Sequence, residues 1–185
     1  MRFSYRTSIF NSTHRERFIV LRVSFALRSG GEPKVAYRDL LEYFGNKMPS
    51  LSGVRDAVLK IRRAKSMVID HTDANSKSAG SFFKNPIVSG EKLEEIQTLC
   101  ERVPSFELGK MFKIPAAWLI ENAGFYKGFT IGKVGISSNH TLALINRSDA
   151  TAVELIVLKE EIQQAVAAKF GIELRPEPVF VGFSS

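Results

Sequence analysis

The sequence predicts a mixed α+β chain. Three observations predict it. Residues 18–28 alternate apolar and polar with period two, residues 153–170 repeat apolar residues at helical spacing up to a glycine, and helix-like and strand-like segments interleave between them. The resulting order is β-α-α-β-α-α-β-β-α-β, with neither an internal repeat nor a low-complexity tract.

Each element follows from its own residues. In 18–28, Ile19, Leu21, Val23, Phe25 and Leu27 share one face and Arg22, Ser24 and Arg28 the other, the pattern of a half-buried strand. Ser29-Gly30-Gly31-Glu32-Pro33 is a turn. A short helix surrounds Leu40 and Leu41 in 35–44, and Ser52 is placed to cap a second that runs through Val54, Val58 and Ile61 to Lys65. The polar stretch DHTDANSKSAG, 70–80, reads as a loop, and 82–88 as a strand. Ser89 caps a helix over 91–101 with Leu93 and Ile96 inward. Pro115 suits the first turn of a helix through Trp118, Leu119 and Ile120 that Gly124 ends. Residues 129–136 and 141–146 read as strands joined by a turn at Ser137-Ser138-Asn139. Ser148 or Asp149 caps the strongest helix, with Val153, Val157, Leu158, Ile162, Val166 and Phe170 as its buried stripe and Gly171 as its stop. A last strand, 172–183, is interrupted by Pro176 and Pro178.

Composition bounds the function. With 185 residues, 44% of them hydrophobic and 24% charged, the chain can bury a sizeable core as one large domain or two small ones. No apolar run reaches the roughly 18–20 residues a bilayer demands, so no membrane partner is expected. The first residues, MRFSYRTSIFNS, lack a signal-peptide core, which together with the single cysteine, Cys100, points to a reducing, cytoplasmic compartment. Cys100 and three scattered histidines have no zinc-ligand spacing, so no metal is expected. The net charge of +7 attracts anions, and Lys60, Arg62, Arg63 and Lys65 concentrate it at one helix end. No aromatic RNA-binding signature or zinc-finger spacing accompanies them. Phosphate on a small ligand is the expected partner rather than nucleic acid.

The stretch AGSFFKNP, 79–86, carries the most chemistry. Gly80 lets a ligand approach the backbone, and Ser81 places a hydroxyl there between that glycine and two packing aromatics. Taken alone, Ser81 reads equally as a turn-capping serine, and no nearby histidine makes it a triad nucleophile. Arg6 offers a planar fork for a carboxylate or phosphate. Glu177, fixed between Pro176 and Pro178, sits either at an exposed edge or aimed at a site. Lys127-Gly128 is a weak phosphate signal, and Tyr37 a half-buried aromatic.

In order along the chain, Y-R-x-S-I-F, A-G-S-F-F-K-N-P, A-A-W-L-I-E, K-G-x-x-I-G, H-x-L-A-L-I-N and R-P-E-P-V-F-V-G resemble the C-terminal part of the UDP-N-acetylenolpyruvoylglucosamine reductase family, in its loop-bearing subtype. The resemblance covers nearly the whole chain, and G-S-F-F-K-N-P is its most specific block. It implies an α+β substrate-binding domain, residues 67–171, inserted into the C-terminal part of an FAD-binding, PCMH-like α+β domain made of residues 1–66 and the return strand 172–185. It implies a cytoplasmic bacterial oxidoreductase of peptidoglycan synthesis, in which NADPH reduces FAD and the enolpyruvyl group of UDP-N-acetylenolpyruvoylglucosamine is then reduced to give UDP-N-acetylmuramate. The N-terminal FAD-binding half of the family has no counterpart before Tyr5, so a truncated chain is expected, inactive by itself. The alternative is a non-catalytic UDP-sugar binding module.

The resemblance also assigns residues. Ser81 matches the proton-donating serine, and Arg6 and Glu177 the pair that stabilises the enol-type intermediate. Tyr37 matches the tyrosine that closes over the substrate diphosphate, Lys65 a phosphate-binding lysine, Asn85 a substrate-contacting amide and His140 a position near the uridine. Lys113 lies near the nicotinamide entrance, and Lys127 is a further phosphate contact. Two departures stand out: Ser66-Met67-Val68 follow Lys65 where the family has a leucine- or proline-rich step, and Lys133 stands where a second glycine is common.

Overall fold

The computed structural model describes residues 3–4 and 7–183. It divides into two compact units, Met1–Lys34 and Val35–Ser185.

In the first unit, strands β1 (Phe3–Ser4) and β2 (Thr7–Ser8) pair antiparallel and lead into a 3₁₀ turn, Ile9–Asn11. Ser8 caps that turn through its side chain. The strand expected over 18–28 is not formed. The segment has no ladder partner, and both of its faces are open: Ile19 and Leu21 are 87% and 91% exposed, and Val20 on the opposite face is exposed as well. Period two states what a strand would bury; without a partner the pattern makes no sheet.

The second unit opens on two helices, α1 (Arg38–Phe44) and α2 (Leu51–Ala64). Ser50, not Ser52, caps α2, its hydroxyl accepting from the Gly53 N–H at 3.1 Å. The polar stretch ends in a strand, β3 (Ser78–Ser81), and 82–88 contributes only β4 (Ile87–Ser89). Ser89 caps α3 (Gly90–Leu99). Next comes a hairpin absent from the sequence reading, β5 (Phe106–Leu108) and β6 (Met111–Lys113), turned at Lys110 and Gly109, the latter at φ +63°. Helix α4 (Ala116–Asn122) starts after Pro115. Residues 129–136 split into β7 (Thr130–Ile131) and β8 (Val134–Ile136), because Gly132, at φ +54°, turns the chain between them. Strand β9 (Ala143–Asn146) precedes α5 (Ala152–Phe170). The cap of α5 is Thr151 rather than Ser148 or Asp149, in a reciprocal box with Glu154, and Gly171 ends it in the left-handed conformation.

Among the described residues of this unit, two antiparallel sheets form, ordered β3-β9-β8-β7 and β4-β6-β5. Helix α5 lies on β8, β9 and α4. Leu158, Ile162, Val166 and Phe170 form its buried stripe, while Val153 and Val157 stay exposed because they lie on the side of α5 turned from the sheet. Phe82, Phe83, Ile96, Ile114, Leu119, Ile120, Ile136 and Leu144 complete the core. The last strand expected over 172–183 reduces to one antiparallel bridge, Phe83 with Pro176; the prolines deny the segment a longer ladder. No helix among the described residues is long and apolar enough to cross a membrane.

Candidate functional site

The site is built around the end of β3. Gly80 sits at φ +77°, and a side chain there would meet nothing within 4 Å, so its conformation rather than crowding calls for glycine. The register slips between Ser78, opposite Ile145, and Ser81, opposite Ala143, so β3 is bulged against β9 there. The Gly80 N–H bonds the Ser78 hydroxyl at 3.3 Å, so the local serine turn belongs to Ser78. Ser81 is half-buried and presents its side chain from the bulged end of the strand. Phe82 and Phe83 behind it are buried, with ring centroids 5.4 Å apart.

Glu177 is carried to the same place. The Phe82 N–H donates to the Leu142 carbonyl at 2.7 Å, and the Phe82 carbonyl accepts from the Glu177 N–H at 2.8 Å. The Lys84 N–H bonds the Arg175 carbonyl at 2.9 Å. Residues 82–84 are therefore held between β9 on one side and 175–177 on the other. Ser81 and Glu177 stand on neighbouring chain segments, although they are 96 positions apart in sequence. Arg6, with Tyr5, lies outside the described residues.

A second group gathers beside α2. His140 is half-buried, and its Nδ1 accepts from the Leu142 N–H at 3.1 Å. A neutral ring in that bond carries its proton on Nε2. Burial, and then the charges of Lys65 and Lys127, hold the His140 pKa below the ordinary histidine value. The fold thus brings Lys65, Lys127 and His140 within electrostatic reach of one another. Lys65 Nζ also bonds Asp39 Oδ2 at 2.5 Å, which holds the Asp39 carboxyl below its usual range.

Tyr37, Asp39, Arg62, Lys65 and Met67 line a cavity of about 370 Å³. Arg62 and Met67 also line a neighbouring one of about 300 Å³ that reaches Ser78 and Gly80. The two cavities share Arg62 and Met67 as wall residues, one lined by Lys65 and the other by Gly80, the residue before Ser81. Arg62 and Met67 were missed as site residues; the basic run at 60–65 was the signal for Arg62.

Asn85 serves the scaffold. Its Oδ1 accepts from the Ala116 N–H at 2.9 Å, so it caps the start of α4 across 31 positions, where Pro115 has no side-chain acceptor. Lys113 sits on β6 opposite Phe106, its Nζ 5.4 Å from that ring's centre. No contact among the described residues joins it to Lys65 or to Ser81.

Residues 70–181 match the model of the UDP-N-acetylenolpyruvoylglucosamine reductase, C-terminal domain. The chain is 44% identical over 193 aligned positions to the UDP-N-acetylenolpyruvoylglucosamine reductase of Thermobifida fusca, covering 97% of this chain and 53% of that one. It is 39% identical to the reductase of Nocardia farcinica, covering 97% and 50% of the two chains, and 49% identical to UDP-N-acetylenolpyruvoylglucosamine reductase 2 of Corynebacterium glutamicum, covering 71% and 37%. The chain spans about half the length of the first two of these relatives. Ordered blocks of the sequence, the bulged glycine-serine strand and the matched domain agree: the chain belongs to the UDP-N-acetylenolpyruvoylglucosamine reductase family.

Proposed function

We propose that the chain supplies the substrate side of a cytoplasmic bacterial reductase that converts UDP-N-acetylenolpyruvoylglucosamine to UDP-N-acetylmuramate for peptidoglycan. The observation that supports this reading is the backbone hydrogen bond from Glu177 to Phe82, which brings residue 177 alongside the segment that follows Ser81.

Bound FAD, kept reduced by NADPH, would supply the hydride that the enolpyruvyl double bond takes up. Residues 18–28, which the resemblance gives to the flavin-binding layer, have no ladder here and expose their apolar side chains, so by themselves they make no seat for FAD.

The substrate double bond gains a proton on the carbon next to the one that receives hydride. Ser81 is the proton donor in this reading. A hydroxyl is a poor acid in water, so its contribution depends on being held against that carbon, and the bulge beside Gly80 supplies the approach. Glu177 acts on the substrate carboxylate in this reading, where negative charge builds as the enol-type intermediate forms, and the resemblance gives Arg6 the same role. Lys65 and Lys127 take the diphosphate, and Tyr37 closes over it. His140 offers its Nε2–H to the nucleotide, and Asn85 its amide N–H. Lys113 belongs to the nicotinamide entrance.

The test is calorimetry of the chain with UDP-N-acetylenolpyruvoylglucosamine. The expected result is saturable binding that Lys65→Ala weakens about tenfold, the size of one lost charge-assisted bond. Absence of binding to the folded chain would overturn the reading. Incubation with FAD, desalting and a visible spectrum would then read flavin retention separately.

A further inference from the structure

Ser66 is a serine where a helix end calls for glycine. The Ser66 N–H bonds the Arg63 carbonyl at 2.9 Å and the Met67 N–H bonds the Arg62 carbonyl at 2.8 Å, the paired bonds that close a helix through a left-handed residue. Ser66 takes that position at φ +54°, a conformation that a Cβ makes unfavourable. It is also 3% exposed, so the hydroxyl is buried. A strained, buried serine next to a candidate ligand-binding lysine is a reason to look for a role.

Its hydroxyl is engaged: Asn139 Nδ2 donates to Ser66 Oγ at 2.8 Å. The Ser66 hydroxyl also lies near enough to the Asp73 carboxyl to hold its pKa below the usual carboxylate range. Asp73 Oδ1 in turn accepts the Asn75 N–H at 2.8 Å, and Asn75 Oδ1 accepts the Ser138 N–H at 2.9 Å. These contacts form a ring from the end of α2, through 73–75, to the turn at 138–139 and back, with the Ser66–Asp73 side electrostatic and the others hydrogen-bonded. Lys65 immediately precedes this ring, and His140 immediately follows it.

We propose that Ser66 and Asn139 are positioning residues whose mutual bond sets Lys65 beside His140, so that the two present one cation and one neutral donor at a fixed spacing to the diphosphate of a nucleotide sugar. The ligand half of this inference rests on the function proposed above; the positioning half does not. Lysine has a flexible four-carbon stem, and a fixed backbone at its root limits where its ammonium can go.

The test uses the full chain with Ser66→Gly and Asn139→Ala. Glycine suits φ +54°, so Ser66→Gly is expected to stay folded, with a melting temperature within about 4 °C of the parent. The first readout is the NMR titration of His140. If the clasp holds Lys65 near it, both variants raise the His140 pKa toward the value in Lys65→Ala, and Ser66→Gly adds nothing in the Lys65→Ala background. A His140 titration unchanged in both variants overturns the positioning role. The second readout is calorimetry with UDP, in which each variant is expected to bind about fivefold to tenfold more weakly. Variants that move the His140 titration yet bind UDP like the parent overturn the ligand half alone. A parent chain that binds no UDP overturns the proposed function and that half with it.

Discussion

The Glu177 N–H donates to the Phe82 carbonyl at 2.8 Å, and this one bond joins the tail of the chain to the strand end that presents Ser81. Pro176 and Pro178 flank Glu177 and shorten the pairing to a bridge. The same Phe82 accepts from Glu177 on one side and donates to Leu142, just before β9, on the other, so backbone bonds tie its segment to both neighbours.

Ser81→Ala should remove turnover without removing binding. The measurement needs a flavin-bearing partner, and a chimera joining the N-terminal half of the Thermobifida fusca reductase to this chain provides one. The expected fall in kcat is about 10²-fold or more, with substrate dissociation changed less than about threefold, because the hydroxyl acts only as the proton moves. Equal kcat in the two proteins would take Ser81 out of the chemistry.

Glu177→Gln, in the same chimera, keeps the backbone bond to Phe82 and removes the acid. Stopped-flow absorbance should show flavin reduction by NADPH at the parent rate, and flavin reoxidation by substrate slowed about 10²-fold. Equal slowing of both half-reactions would mean that Glu177 supports the fold around the flavin rather than the substrate carboxylate.

Asn85 separates two roles that the sequence merged. A substrate-contacting amide and a helix cap predict different losses on substitution. Because Asn85 Oδ1 accepts the Ala116 N–H, Asn85→Ala should lower the unfolding free energy by about 1 kcal/mol in urea, with no ligand present. Asn85→Asp keeps the acceptor and should restore most of that stability. An alanine variant as stable as the parent would assign the residue to the ligand alone.

How much of this was legible depends on the kind of signal. Helices announced themselves locally: the α5 stripe and its glycine stop, Ser89 before α3 and Pro115 before α4 are all short-range patterns that need no partner. Strands did not, since a strand exists only with its ladder. Residues 18–28 have the right alternation and no partner, whereas β3, written in small polar residues, pairs through β9. The hairpin of β5 and β6 was invisible for the same reason. Ser81, Glu177 and Lys65 were found through resemblance of ordered motifs. Asn75, Ser66 and Asn139 were not, because their meaning lies in bonds spanning 63 and 73 positions that no local pattern encodes.

His140 gives the last prediction, and its sign can be worked out. Its pKa is lowered in the fold, first by burial and then by Lys65 and Lys127, so the folded chain favours the neutral ring. A histidine kept neutral contributes stability that is present above its unfolded pKa and lost as pH falls through that value toward the folded one. Denaturation midpoints should therefore decline below about pH 6.5, where an unfolded histidine begins to charge. In His140→Asn the amide oxygen can still accept from Leu142 N–H, while nothing titrates, so its midpoint should decline less over the same window. Lys65→Ala should raise the His140 pKa only part of the way to the ordinary value, since burial, the larger cause, is untouched. Long-range ¹⁵N NMR of the ring checks the tautomer directly: Nδ1 should be the unprotonated nitrogen, and a protonated Nδ1 at neutral pH would contradict the bond to Leu142 on which the donor role of Nε2 rests.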